Sequence, residues 1–281
     1  MMDFTLDNYG ELVVLVQNSL YAGALLGVVG GLIGVFVMSR ELQFAVHGIS
    51  ELSFAGASVA LFFGMNVVFG AALGSLIAAV LIGFLGVRAR DRNSIIAVLM
   101  PFGLGIGILF LALYPGRSAN KFGLLTGQIV SVDNDQLGLL VAISIIVIIG
   151  LMLMWRPLTF ASVDADVARA KGLPVGAISV VFMILLGLAV AVAIQVIGAL
   201  LVLSLLVTPA AAAMRVTSGP LLTPLLSVVF AVVSIVGGIL VSLAGALPIS
   251  PFVTTISFLI YLVCRIVAWS RTSAPASLKS A

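Results

Sequence analysis

Long apolar runs separated by short polar breaks set the pattern of this chain. Nine runs stand out, with approximate cores at 16–38, 45–65, 67–87, 94–114, 136–155, 175–194, 196–214, 221–245 and 251–270. Each is about long enough to cross a hydrocarbon core of roughly 30 Å as a helix. The runs are apolar on all sides. A membrane β-barrel would instead alternate polar and apolar positions. The pattern predicts an all-α, polytopic membrane helix bundle of about nine transmembrane helices. Two junctions widen the range to eight to ten. Only a turn near Asn66 separates the second and third runs, and the sixth and seventh meet near Gln195 with hardly a break. No soluble domain fits between runs, so residues 1–281 read as one transmembrane domain. The polar tail from about 271 to 281 is expected to be disordered.

Composition agrees. Of 281 residues, 62% are hydrophobic and 8% charged, against about 25% charged in a soluble domain. The net charge of +3 comes from basic residues scattered through short loops. That distribution fits membrane topology rather than nucleic-acid binding. "VRARDR", with Arg88, Arg90 and Arg92, marks a cytoplasmic loop. Alternation from there places Arg40, Arg156, Arg169, Lys171, Arg215, Arg265, Arg271 and Lys279 inside, and only Arg117 and Lys121 outside. The acids Asp3, Asp7, Glu11, Asp133 and Asp135 fall outside. The N-terminus is then external and the C-terminus cytoplasmic in the plasma or inner membrane. The N-terminal "MMDFTLDNYGEL" lacks the basic region of a cleavable signal. The single cysteine, Cys264, excludes an intramolecular disulfide framework and a CxxC site.

Against this apolar background, "FAVHGISELSFAG" carries the only histidine, His47, four residues before Glu51. Residues i and i+4 share a helix face. Ionisable groups inside a span usually face a bundle interior or a wet cavity. Imidazole and carboxylate together suit Zn²⁺, Mn²⁺ or Fe²⁺, with Ser50 and Ser53 placed as supporting hydrogen-bond groups. The alternative is that His47 and Glu51 simply satisfy each other. A second stretch, "FASVDADVARAKGLPVG" at 160–176, reads as a cytoplasmic loop with a short helix. Asp164 or Asp166 can cap its start, and Gly172 and Pro174 can stop it. It is either a connector or a docking element. A third, "QVIGALLVLSLLVTPAAAAMR" at 195–215, holds Gln195 at a span boundary and Pro209, which can kink a helix into a gate or merely a packed bend. Repeated glycines four apart, among them Gly27 and Gly31, Gly70 and Gly74, and Gly103 and Gly107, predict close helix contacts. There is no nucleotide-binding loop and no Ser/His/Asp set, which argues against an enzyme.

Together these stretches resemble the permease subunits of zinc- and manganese-type metal-ion ABC importers, over most of the chain. "QVIGALLVLSLLVTPAAAAM" is similar to that family's Q-x-x-G-x-L-L-V-x-x-L-L-x-x-P-A-A-x-A segment. "FASVDADVARAKGLPVG" resembles its F-D-x-x-x-A-x-x-x-G-x-P docking segment, and "LLTGQIVSVDNDQL" its L-F-G-x-I-L-x-V stretch. The family commonly reads G-D-x-x-S-H-A-x-x-P-G at the opening stretch. Aligning Ser50 and Gly56 sets His47 at its Asp and Glu51 at its His, so the imidazole and acid occur in reverse order. Leu52 and Ala55 replace its Ala and Pro.

The resemblance implies a type II-like importer permease carrying no permanent cofactor. Its cargo would be a divalent metal, Zn²⁺ or Mn²⁺, with His47 and Glu51 on the path. It also implies a second permease copy, an extracytoplasmic metal-binding protein or lipoprotein, and a separate cytoplasmic ATP-binding subunit. That subunit would dock at Asp164, Asp166, Ala168 and Gly172. The rival readings are a permease for vitamin B12 or iron–siderophore, and a stand-alone secondary carrier, for which no inverted repeat is evident.

Overall fold

The structure is a computed structural model that describes residues 9–85, 89–116, 132–245 and 248–273. Every regular element among them is helical. In chain order they are α1 (Tyr9–Leu15), α2 (Gln17–Ser39), α3 (Gln43–Phe62), α4 (Val67–Leu85), α5 (Ala89–Leu113), α6 (Asn134–Val163), α7 (Ala165–Ala170), α8 (Val175–Ile197), a 3₁₀ turn (Ala199–Leu201), α9 (Val202–Leu206), α10 (Thr208–Val216), α11 (Leu222–Gly245) and α12 (Ser250–Ser273). Arg88, Arg117, Lys121, Lys279 and most of the 124–137 stretch lie outside the described residues, as does the tail beyond Ser273.

Eight helices, α2 to α6, α8, α11 and α12, are long and apolar enough to cross a membrane. They match eight of the nine expected runs. The seventh run, 196–214, differs: it is not one helix. Gly198, at φ 86°, ends α8; a left-handed φ of this kind is cheap only for glycine. After the 3₁₀ turn and α9, a new helix starts at Thr208 with Pro209 in its first turn. A proline lacks the N–H that an interior position must donate but that a first turn does not need. Only Val207, itself in the right-handed helical region, separates α9 from α10, and Val202–Val216 form one apolar helical stretch whose ladder is interrupted beside Pro209, as a proline bend requires. The expected loop at 160–176 also differs at its start, because α6 runs on through Pro157 to Val163.

The broken segment still travels the depth of the bundle. Ser250, at the start of α12, donates to the Ile197 carbonyl at 3.0 Å. Ser257 donates to the Ser204 carbonyl at 3.4 Å. Near the other end of α12, Arg271 donates to the Val216 carbonyl at 3.3 Å. Residues 197–216 thus run alongside α12 for nearly its full length.

Helices α2, α3 and α8 form the centre, and α5, α6 and α12 present large apolar side chains outward. The inner contacts rely on glycine. A Cβ on Gly31 would sit 2.5 Å from Val228 Cα, so α2 and α11 touch backbone to backbone. Ser227 seals that contact by donating to the Gly31 carbonyl at 2.7 Å. Without a hydrophobic drive between helices in lipid, such close packing and interhelical hydrogen bonds hold a bundle together.

The two ends differ in charge. At one end Arg40, Arg92 and Arg169 line a common pocket. Ser39, Ser162 and Thr217 line another pocket at that end. At the opposite end Asn18 donates to Asn134 Oδ1 at 2.9 Å and to the Val132 carbonyl at 3.3 Å. Gln136 and Gln195 line a small crevice there. Among the described side chains the basic residues gather at the first end, and Glu11, Asp133 and Asp135 at the second. This is the sorting expected from loop alternation.

Candidate metal site

Helix α3 is clamped on two sides by glycines. Gly74 of α4 abuts the Leu52 carbonyl, and Gly103 of α5 abuts Glu51. A Cβ on Gly103 would lie 2.9 Å from Glu51 C and 3.0 Å from Glu51 O. This packing fixes the backbone on which the His47–Glu51 pair is built. His47 Nε2 lies 3.6 Å from Glu51 Oε1, with the imidazole 33% exposed and the carboxylate 6% exposed. At 3.6 Å the pair is too far apart for a hydrogen bond. Two ligands at about 2.0–2.2 Å in a tetrahedral arrangement would lie about 3.3–3.6 Å apart. The separation matches that of two ligands on one ion and equally that of a direct His–Glu ion pair, and the imidazole side is open. Among the described residues no group of three or more His, Cys, Asp and Glu forms. Among the described residues the site therefore holds two candidate ligands, His47 and Glu51.

The two serines expected to support the pair do other work. Ser50 Oγ donates to the His47 carbonyl at 2.8 Å, and Ser53 Oγ to the Ala71 carbonyl of α4 at 2.8 Å. Neither hydroxyl donates to the imidazole or the carboxylate. They hold the main chain of α3 and its contact to α4.

At the basic end, the Asp164 side chain accepts from Asp166 N–H at 3.0 Å and Val167 N–H at 2.9 Å. It is the N-cap of α7 foreseen in the sequence. Asp166 pairs with Arg169 at 2.8 Å on the exposed side. Gly172, at φ 82°, closes the turn after α7. Ala168 is fully buried against Ala161 and Val175, so it faces its own chain. The outward face of α7 is formed by Asp166, Val167 and Arg169.

Comparison with known proteins fits this architecture. Residues 13–268 match the ABC 3 transport family. The chain belongs to that family. The manganese transport system membrane protein MntC of Halalkalibacterium halodurans is 30% identical over 224 residues, 79% of this chain and 77% of its own. The high-affinity zinc uptake system membrane protein ZnuB of Buchnera aphidicola is 26% identical over 247 residues, 87% of this chain and 95% of its own. Among solved structures, PsaBC from Streptococcus pneumoniae in complex with Fab superposes with a TM-score of 0.82 at 22% identity, covering 92% of this chain and 95% of the other. That last likeness is one of fold.

In this ABC 3 family chain the remaining candidates stand apart from the pair. Gln195 sits at the acidic end with its Nε2 buried and unpartnered among the described residues, whereas His47 begins α3 near the basic end. Pro209 is buried in α10, where the neighbouring Ala210 packs on Gly34 of α2. Two features escaped the sequence reading. Gly103 was legible only as a spacing motif, without its contact to Glu51. The convergence of Arg40, Arg92 and Arg169 on one pocket needed the fold, although all three were assigned to the same side.

Proposed function

We propose that this chain is the membrane-spanning subunit of an ATP-driven importer of a divalent transition metal, Mn²⁺ or Zn²⁺, with Fe²⁺ a third cargo of the same ligand preference. Membership of the ABC 3 transport family carries the reading. Relatives named for manganese and zinc favour a bare ion over a bulky chelate such as vitamin B12 or a siderophore. His47 and Glu51 lie on the ion's path. A transport site must release its cargo, so two ligands per chain and one open side suit it better than a closed shell. A second copy of the chain across the path supplies the matching pair.

The basic end faces the cytoplasm, following the rule that Lys and Arg stay inside. With the broken segment counted as a crossing, the N-terminus is external and the C-terminus internal. The outward face of α7 is the seat for a separate ATP-binding subunit, which supplies the hydrolysis this chain has no residues for. An extracytoplasmic metal-binding protein delivers the ion to the opposite end.

The test is uptake of ⁵⁴Mn and ⁶⁵Zn into cells that lack their own importers and express this chain with its ATP-binding subunit. Uptake of at least one ion should require both the chain and an ATPase competent to hydrolyse. Uptake that persists with an inactive ATPase would instead point to a stand-alone carrier.

A further inference from the structure

At the basic end a pocket of about 470 Å³ opens between α4 and α8, and it is lined at its rim by Arg40, Arg92 and Arg169. Arg40 follows the end of α2, Arg92 lies in the first turn of α5 and Arg169 in α7, and the fold brings them together. Arg40 is held in place from two sides. Its Nη2 donates to Ser179 Oγ, and its guanidinium carbon lies 5.8 Å from the Phe182 ring centroid. Arg40 Nη1 and Arg92 Nε are buried with no hydrogen-bond partner among the described residues. Burial, and after it the nearby charge of Arg92, holds the Arg40 guanidinium below its ordinary range. The acids close by are Glu41, which acts on Arg92, and Asp166, which pairs with Arg169. Neither meets the two orphaned donors.

The same pocket receives the start of α8, through Val175, Gly176 and Ala177. That helix carries no side-chain cap, and an uncapped N-terminus favours an anion. The rest of the wall is apolar: Ile82, Phe84, Val181 and Met183. Phe84 and Val181 are 62% and 42% exposed, so this wall continues onto the surface that meets lipid. A soluble anion needs the arginines but not this wall.

We propose that the pocket binds the phosphate headgroup of an anionic phospholipid, with the start of its acyl chains along Phe84 and Val181. The proposal shares with the proposed function only the placement of the basic end at the cytoplasmic leaflet. Basic pockets between helices on that side are suited to anionic headgroups. Because Arg169 belongs to α7, an occupied pocket would also brace the docking element.

The test uses the full-length chain, purified in mild detergent and stripped of lipid, with no metal present. Thermal unfolding is followed with added phosphatidylglycerol, phosphatidylcholine or inorganic phosphate, and retained lipid is counted by native mass spectrometry. Phosphatidylglycerol should stabilise the wild type and be retained, while phosphatidylcholine should not. Arg40→Gln/Arg92→Gln should lose the preference. Arg169→Gln, which alters a surface side chain and spares the fold, should weaken phosphatidylglycerol binding about fivefold. Arg156→Gln, at the same end but outside the pocket, should leave binding unchanged. Equal stabilisation by the two lipids, or a preference that survives in Arg169→Gln and the double variant, would overturn the proposal. Stabilisation by inorganic phosphate with none by phosphatidylglycerol would also overturn it, and would assign the pocket to a soluble anion. Because metal and transport play no part in the readout, its failure leaves the importer reading untouched.

Discussion

The contact between Gly103 and Glu51 can be tested with an internal control two residues away. A Cβ at position 103 would meet Leu52 Cδ1 at 2.7 Å, Glu51 C at 2.9 Å and Glu51 O at 3.0 Å. The leucine methyl can swing aside, but the Glu51 backbone cannot. Ordinary carbon contacts lie at about 3.5–4.0 Å. Gly103→Ala must therefore push α3 and α5 apart by about 0.6 Å or more at the site itself. At Gly105 nothing lies within 4 Å of the added Cβ, and the residue faces outward. Both changes gain the same helix preference, about 0.5–1 kcal/mol, so their difference isolates the overpacking cost of about 1–3 kcal/mol. At roughly 2–4 °C per kcal/mol for a chain of this size, Gly103→Ala should unfold about 2–12 °C below Gly105→Ala in detergent. Metal uptake should fall in the first variant and hold in the second, at equal membrane levels. Equal unfolding temperatures together with equal uptake would refute the claim that α5 sets the position of the Glu51 backbone.

Three further outcomes are expected. Val167→Arg, on the outward face of α7, should reduce co-purification of the ATP-binding subunit and uptake with it, whereas Asp166→Asn should have the milder effect because its partner Arg169 is itself exposed; unchanged co-purification in Val167→Arg would remove α7 from the docking surface. Asp164→Ala removes a cap that accepts two N–H groups and should cost about 1 kcal/mol locally, seen as faster amide exchange at Asp166 and Val167 than in wild type. In a Cys264→Ser background, cysteine at Lys171 should react with an impermeant thiol reagent only from the cytoplasm and cysteine at Asp135 only from outside, and labelling of both from one side would contradict the placement of the two ends.

Much of the bundle was legible because membrane helices are written as long apolar runs, and a run of about 20 residues has few other uses in a chain this poor in charge. The 196–214 run shows the limit. Its hydropathy is continuous, so the apolar pattern alone reads as one helix. The break comes from a left-handed glycine at 198 and the interruption near Val207 from a proline two residues on, and neither changes hydropathy. His47 and Glu51 were legible as a pair from their spacing. Their separation of 3.6 Å was not, since it depends on side-chain rotamers that spacing along a helix does not fix. Ser50 and Ser53 misled for a related reason. Within a helix a serine hydroxyl readily bonds a backbone carbonyl, and here both do. Ala168 entered the docking set through the resemblance of 160–176 to the family's docking segment, yet the helix turns that one residue inward onto Ala161 and Val175. The arginine pocket was invisible in the sequence because its three contributors lie far apart along the chain.

The central claim is that the ion passes His47 and Glu51. The direct measurement is initial-rate uptake of ⁵⁴Mn and ⁶⁵Zn by cells expressing wild type, His47→Ala or Glu51→Gln with the same ATP-binding subunit, each normalised to the amount of chain in the membrane. Glu51→Gln keeps the shape and removes the charge that offsets a divalent ion, and His47→Ala removes the nitrogen ligand. Each variant should lose most of the uptake, at least about tenfold, while its membrane level and its co-purification with the ATP-binding subunit stay at wild-type values. If both variants carry both ions at wild-type rates, the pair is structural and the ion takes another path.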